Sequence, residues 1–304
     1  MKEILLSSVL TEMGIHEYKM YNESSFCNMS MLLPRRDEKN RCVFILSEDY
    51  FRKVDDSVNM IITTYDLFET AKATGKGVCA VENPRLVFYK VHNYLSTKDS
   101  YLNSIFDTTI GDNCKISKLA DISPNNVKIG NNVVIDSFVK IEDGVEIGDN
   151  TIIRSGVVIG TPGYDYKVDG EDVIPTAQTG TIVIGKNVEL NANAVIEKPA
   201  FPYEKTIVGD DCKIGSLCYI AHGVQLGKRV MMPNSVSVSG YTFIGDDVLI
   251  SPNATISNII KIGDRTHVTL GSVVASNVRK DSHVTGYFAI DHDKYLRKML
   301  QDNG

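Results

Sequence analysis

The sequence predicts a mainly β chain wound into a parallel β-helix, preceded by a small α/β domain and followed by a short helix. Three observations carry that expectation. An aliphatic residue or methionine recurs every six positions from Val208 to Val274, through Ile214, Ile220, Leu226, Met232, Val238, Ile244, Ile250, Ile256, Ile262 and Val268. Glycine follows the apolar position at Gly209, Gly215, Gly227, Gly245 and Gly263, often with Asp or Asn next, as expected of tight corners that need positive φ or a side chain bonding its own backbone. The same period appears earlier, at Ile110, Ile116 and Ile122 and, after a one-residue slip, from Ile129 through Ile135, Ile141, Ile147 and Ile153 to Ile159. A six-residue repeat of strand plus corner stacks coil on coil and buries a continuous apolar column. Three such repeats close a coil, so residues about 18 apart become neighbours at the strand spacing of about 4.8 Å.

Taken in order, residues 1 to about 100 lack this rhythm and alternate helical patterns with short apolar runs. Lys2 to Met13 reads as a helix, Cys42 to Leu46 as a strand, Met60 to Thr64 as a second strand, and Tyr65 to Thr74 as a helix stopped at Gly75. Val78 to Val81 reads as a third strand, after which Asn83 caps a helix with Pro84 in its first turn. The β-helix spans residues 101 to 285, after a linker at 96 to 108. Gly286 to Leu300 reads as a final helix that caps the last coil.

Two interruptions break the solenoid: Thr161 to Gly180, which holds Tyr164 and Tyr166, and Glu197 to Lys205. Insertions in a solenoid emerge as loops on one face, often the binding face.

Composition narrows the function. With 304 residues, 43% hydrophobic content and a formal net charge of −6, the chain is an ordinary soluble one without the basic face of a nucleic-acid binder. Its six cysteines form no CxxC pair, and the N-terminus lacks the apolar core of a signal peptide, so a cytoplasmic protein with reduced thiols is expected. No run is long and apolar enough to span a membrane. No P-loop or GxGxxG is present. No metal site is expected, because His222, His267 and His283 are spaced so that they should not stack into one column.

Among the six histidines His222 is placed to act. It lies two residues past Ile220 on the outward side of a corner, and Gly240, which has no side chain to shield its N–H, falls one coil later. A histidine base beside an open N–H donor suits acyl transfer: the base takes the nucleophile's proton and the donor holds the oxyanion. In the first domain, Phe44 and Tyr50 are aromatic residues six apart at a strand end. They read either as core and helix-start packing or as two rings clamping a flat base.

These residues carry a resemblance across nearly the whole chain to the UDP-3-O-acylglucosamine N-acyltransferase family. Its Ile-Ala-His-Asn segment, with the histidine as general base, is matched by Ile220, Ala221 and His222, and its oxyanion glycine by Gly240. Its Phe-x-x-Asn-x-x-Tyr uracil clamp is matched by Phe44 and Tyr50, with Ser47 in place of the Asn. Its Asp-Gly-Phe-Gly-Tyr loop is echoed by Pro162-Gly163-Tyr164-Asp165-Tyr166. The resemblance implies a left-handed coil, a uridine-binding domain over residues 1 to 100 and a homotrimer with active sites between subunits. It further implies transfer of an acyl group from a phosphopantetheine thioester, on acyl carrier protein or CoA, to the amine of a UDP-linked amino sugar, with no permanently bound cofactor and no metal.

Departures fall where substrate and donor are chosen. Gly223 replaces the Asn after the base, a second family histidine falls at Ile259 with Asn258 beside it, and Ile196-Glu197-Lys198-Pro199 stands for the family's Ile-Asp-Arg-Gly with about two extra residues afterwards. The tail is shorter than the family's, yet Lys294, Arg297 and Lys298 make one basic helical face, with Arg279 and Lys280 nearby. An acetyl-CoA-dependent sugar O- or N-acetyltransferase and a non-catalytic scaffold or nucleotide-binding module are the alternatives.

Overall fold

The computed structural model describes residues 3–32 and 39–286, together with residues 292, 294 and 297. The predicted C-terminal helix falls mostly outside the described residues; His292, Lys294 and Arg297 are helical.

From Thr109 onward the chain is a left-handed parallel β-helix. Its strands, mostly two to four residues long, line up in three parallel sheets of nine, eight and eight strands among the described residues. The coil count from Val208 holds in the pairing: Tyr219 lies opposite Ser237 and Ile220 opposite Val238, one coil apart. The column inside is apolar, with Ile214, Ile220, Met232, Val238, Ile244, Ile250 and Ile256 fully buried. Each such side chain contributes roughly 1.5–3 kcal/mol relative to leaving it in water.

The corners work differently from the expectation. Gly209 and Gly227 do not adopt positive φ; a Cβ on Gly209 would lie 2.2 Å from the Gly227 carbonyl oxygen, so these glycines exist to let successive coils approach. The positive φ is carried two residues later, at Asp211, Leu217, Arg229, Ser235, Tyr241, Asp247, Asn253, Ile259 and Arg265, with values between 54° and 63°. Many of these side chains then form ladders along an edge. Asn132 Nδ2 donates to Asn150 Oδ1 at 3.2 Å, Asn150 to Asn187 at 3.3 Å, and Asn187 to Asp211 at 3.0 Å. Farther up, Arg229 forks onto Asp247 and Arg265 onto Asp281.

The solenoid also runs beyond Val274, to a strand at His283–Val284. The last coil is two residues short, so His267 and His283 pair in register and their rings stack at 4.5 Å, contrary to the spacing argument. His222 lies in a corner between the other two sheets and does not join them.

Before the solenoid sits a five-stranded sheet in the order Lys19–Tyr21, Gly77–Ala80, Val58–Thr63, Arg41–Phe44, Asn28–Met29, parallel except at its first pair. Helices α1 (Leu6–Glu12), α2 (Phe68–Lys72) and α3 (Pro84–Leu95) complete it, with Asn83 Oδ1 accepting from the Leu86 N–H as the cap of α3. Its core is shared with the solenoid, because Ala200 and Phe201 of the second insertion are buried among Phe88, Tyr89 and Tyr101. Among the described residues no helix is long and apolar enough to cross a membrane, and the cysteines are free thiols.

Candidate active site

One edge of the triangular coil gathers every irregular feature of the solenoid. At this corner the first insertion leaves the strand Val158–Pro162, forms a hairpin of Tyr166–Asp169 with Asp172–Pro175, and returns at Thr181–Ile184. One coil on, the second insertion separates Val195–Lys198 from Lys205–Val208. The next corners of the same edge carry His222, then Gly240, then Asn258. Both insertions therefore rise beside His222.

The corner at His222 is held by its neighbours. Gly223 takes φ +69° and donates its N–H to Thr206 Oγ1 at 2.9 Å, while Thr206 donates to the Glu197 carbonyl at 2.8 Å. His222 is half-buried, and its Nδ1 lies 3.0 Å from Glu197 Oε2, which also accepts the His222 backbone N–H at 3.2 Å. Tyr219 donates its hydroxyl to the other oxygen, Glu197 Oε1. Burial, and then the Glu197 carboxylate itself, push the Tyr219 phenol well above its ordinary range, so it stays protonated and donates. Glu197 is only 4% exposed and accepts all three bonds.

An ionised carboxylate can only accept, so the neutral imidazole carries its proton on Nδ1 and keeps the lone pair on Nε2. That lone pair faces Gly240. A Cβ there would lie 2.6 Å from Nε2, and among the described residues the Gly240 N–H has no backbone acceptor. Below, Gly163 presses on the dyad: a Cβ on it would meet Glu197 Oε2 at 2.7 Å and His222 Nδ1 at 2.8 Å. The arrangement is a histidine tied to a buried carboxylate, a glycine packed against its free ring nitrogen, and a loop closed against both.

The other predicted residues are placed more loosely. Tyr164, adjoining Gly163, is 86% exposed, and its ring packs 5.0 Å from that of Tyr166. Asn258 is exposed two coils above His222, with the Ser257 hydroxyl donating to its Oδ1 at 3.3 Å. Phe44 is half-buried against Phe88 at 5.0 Å and Tyr89 at 6.1 Å between ring centres. Tyr50 sits on a short 3₁₀ helix, Glu48–Lys53, exposed, with the Lys53 ammonium 4.4 Å over its ring. Exposed Ser47 precedes that helix and its hydroxyl caps nothing. The two rings of the predicted clamp are thus not in contact with one another; Phe44 is engaged with its own core on one side.

Tyr89 links the two regions. The Lys167 ammonium of the hairpin lies 4.0 Å over its ring, paired with Asp165, and Phe201 stacks on it at 6.3 Å. A separate cavity of about 500 Å³ opens beside the linker, lined by Phe106, Lys128, Asp143, Gln178, Lys198 and Tyr203, and contains none of the predicted site residues.

Glu197 is the member of this cluster that sequence reasoning missed. Ile196 pairs with Ile220, 24 positions later, because the second insertion adds six residues to that coil. Subtracting those six from the count would have put Glu197 beside His222.

Known proteins share the repeat and the fold. Residues 126–161 match the profile described as bacterial transferase hexapeptide (six repeats), and residues 205–238 that of the hexapeptide repeat of succinyl-transferase. A UDP-3-O-acylglucosamine N-acyltransferase of Cupriavidus pinatubonensis is 30% identical over 74% of this chain and 70% of its own length. One of Delftia acidovorans is 29% identical over 48% of this chain, which spans less than half of that relative, 43%. A UDP-N-acetylglucosamine acyltransferase from Campylobacter jejuni superposes over 63% of this chain and 77% of its own, at a TM-score of 0.53 and 23% identity, a likeness of fold. Repeat, fold and relatives agree: the chain is an acyltransferase and belongs, as a divergent member, to the UDP-3-O-acylglucosamine N-acyltransferase family.

Proposed function

We propose that the chain moves an acyl group from a phosphopantetheine thioester to the amine of a UDP-linked amino sugar, in lipid A-like or surface-glycan synthesis. The observation that carries this is the His222 lone pair facing Gly240 while Nδ1 is tied to Glu197. The neutral sugar amine attacks the thioester carbonyl and forms the C–N bond. Nε2 of His222 takes the amine proton as the tetrahedral intermediate forms, and the Gly240 N–H donates to its oxyanion. Glu197 stabilises the imidazolium. When the C–S bond breaks, the proton passes from Nε2 to the leaving thiolate, and the base is regenerated. No metal or permanently bound cofactor is required for these steps. The relatives' names favour a UDP-sugar acceptor. The decisive assay incubates the protein with a panel of UDP-amino sugars and with acyl carrier protein or CoA thioesters, reading products by mass spectrometry. An N-acylated UDP-sugar is the expected product; O-acetylation by acetyl-CoA alone would move the enzyme to the sugar acetyltransferases, and no turnover at all would favour a scaffold.

On this reading the protein is a cytoplasmic homotrimer with the cleft completed by a neighbouring copy, and the α/β domain at residues 1 to 100 holds the uridine. Phe44 offers the ring face its core leaves open, Ser47 a hydroxyl for the base edge, and Tyr50 a second ring once the Lys53 ammonium moves aside. Loss of either ring is expected to cost about 1–3 kcal/mol of UDP binding by calorimetry. Unchanged affinity in both Phe44→Ala and Tyr50→Ala would return the two residues to packing alone. Tyr164 and Tyr166 line the acceptor side beside Gly163, and Asn258 the far rim.

For the donor, acyl carrier protein is favoured by the i, i+3, i+4 spacing of Lys294, Arg297 and Lys298 in the sequence, the last outside the described residues, since the carrier's acidic surface calls for steered, salt-sensitive contact. Combining Lys294→Glu with Arg297→Glu is expected to lower kcat/KM for the carrier-bound donor by about tenfold or more, leaving acyl-CoA turnover unchanged. Equal loss with both donors would remove the carrier protein from the scheme.

A further inference from the structure

The Glu197 bond leaves the His222 ring free to tilt about the Nδ1 contact, and the flank that stops it is a tyrosine one coil later. The ring of Tyr241 lies 5.3 Å from the imidazole at 76°, edge to face. Its backbone is fixed twice over: it sits at φ +58°, and its N–H donates to the His222 carbonyl at 2.9 Å. Its hydroxyl is fixed as well, donating at 2.7 Å to Oε2 of Glu204, a carboxylate only 1% exposed on the second insertion. Glu204 is itself held in the turn that returns to the solenoid, its N–H donating to the Phe201 carbonyl at 2.9 Å and its own carbonyl accepting from the Thr181 N–H at 3.0 Å. A hydrogen bond to a buried carboxylate is among the stronger neutral-to-charged contacts, so the ring is anchored at both ends.

Gly223 records the same packing from the other side. A Cβ there would meet Tyr241 Cδ1 at 2.6 Å and Cε1 at 2.7 Å, so any side chain after the histidine would displace the ring. The imidazole is therefore bounded on three sides: Glu197 at Nδ1, Gly240 before Nε2, and the Tyr241 ring along its flank.

We propose that Tyr241, anchored through Glu204, is a positioning residue for His222, keeping Nε2 aimed at the reacting amine, with Gly223 as the space its ring requires. This rests on His222 being the general base. A base displaced by a fraction of an ångström loses much of its proton-transfer advantage, whereas substrate binding elsewhere in the cleft is untouched. The expected signature is thus a fall in kcat at nearly constant KM.

The test is steady-state kinetics on the full chain, with a UDP-amino sugar and an acyl thioester. Tyr241→Asn removes the ring yet tolerates positive φ, and should lower kcat about tenfold with acceptor KM within about twofold. Tyr241→Phe keeps the ring and loses the anchor, and should recover most of that loss. Combined with Glu204→Gln it should be no worse than the poorer single variant, because both break one contact. Tyr241→Gly, which also removes the ring and is at home at positive φ, serves if the Asn variant melts early. Native kcat in the Asn variant, a loss confined to KM, or no recovery in the Phe variant overturns the proposal. His222→Ala assayed in parallel separates the levels: if it is inactive while Tyr241→Asn is native, only the positioning role fails, and if it is active the general-base reading fails and takes this role with it.

Discussion

Replacing His222 with alanine is expected to lower turnover by roughly 10²-fold or more and to leave the melting temperature close to that of the parent. The first half follows from the ring's hydrogen bonding: Nδ1 is committed to Glu197, so Nε2 is the lone pair of the imidazole left for an attacking amine. The second half follows from packing, since the apolar column at this level is made by Ile220 and Val224, both fully buried, while His222 points outward. Glu197→Gln is the companion variant. It keeps the shape but removes the charge that stabilises the imidazolium, and the loss of kcat is expected to reach about tenfold or more. Gly240→Ala should also be damaging, because its Cβ would sit 2.6 Å from Nε2, closer than any real contact, and the imidazole would have to leave its place. Near-native turnover in His222→Ala would end the assignment of this histidine as base, whatever Gly240→Ala does.

How much of this was legible follows from where the repeat is unbroken. From Val208 to Val274 the six-residue count places each strand and pairs Ile220 with Val238, and so sets Gly240 above His222. Below Val208 the count fails as a ruler, because Ile159 pairs with Ile196 and Ile196 with Ile220 across insertions of different length. Glu197 and Glu204 lie in that interval, and both proved to hold the rings around the base. The corner glycines were legible as corners but not as to cause. Their lack of a side chain serves the contact between coils, and the left-handed residue sits two positions on. In the first domain the three long apolar runs announced three strands, while Lys19–Tyr21 and Asn28–Met29 are too short to show alternation. Spacing alone could not decide between core and clamp for Phe44, because it says nothing of what packs on the ring; Phe88 and Tyr89 do so, at tilted angles.

Acid should loosen the junction between the first domain and the solenoid, and His92 is the residue that makes it do so. His92 lies on α3 with no exposure at all, its Nε2 3.0 Å from the Ala177 carbonyl and its Nδ1 3.0 Å from the Tyr101 hydroxyl. A carbonyl only accepts, so Nε2 carries the proton and Nδ1 receives the tyrosine hydroxyl, which fixes a neutral ring. Burial pushes its pKa down to about 4, against the opposing pull of the carbonyls of Ala177 and Ala200. In the unfolded chain the group titrates near 6.5. Because the folded value is the lower one, the neutral ring's contribution is fully present above about pH 6.5 and is lost as the pH falls towards 4, where the unfolded chain binds a proton that the folded chain refuses. Over that window the loss amounts to about 3 kcal/mol, enough to be seen in urea unfolding at pH 7.5 and 4.5. His92→Gln can keep both hydrogen bonds without titrating, so its unfolding free energy should fall less over the same interval, by about 2–3 kcal/mol. Parallel pH curves for the parent and His92→Gln would mean that His92 is protonated in the folded chain at mildly acid pH, and that some other group carries the acid sensitivity.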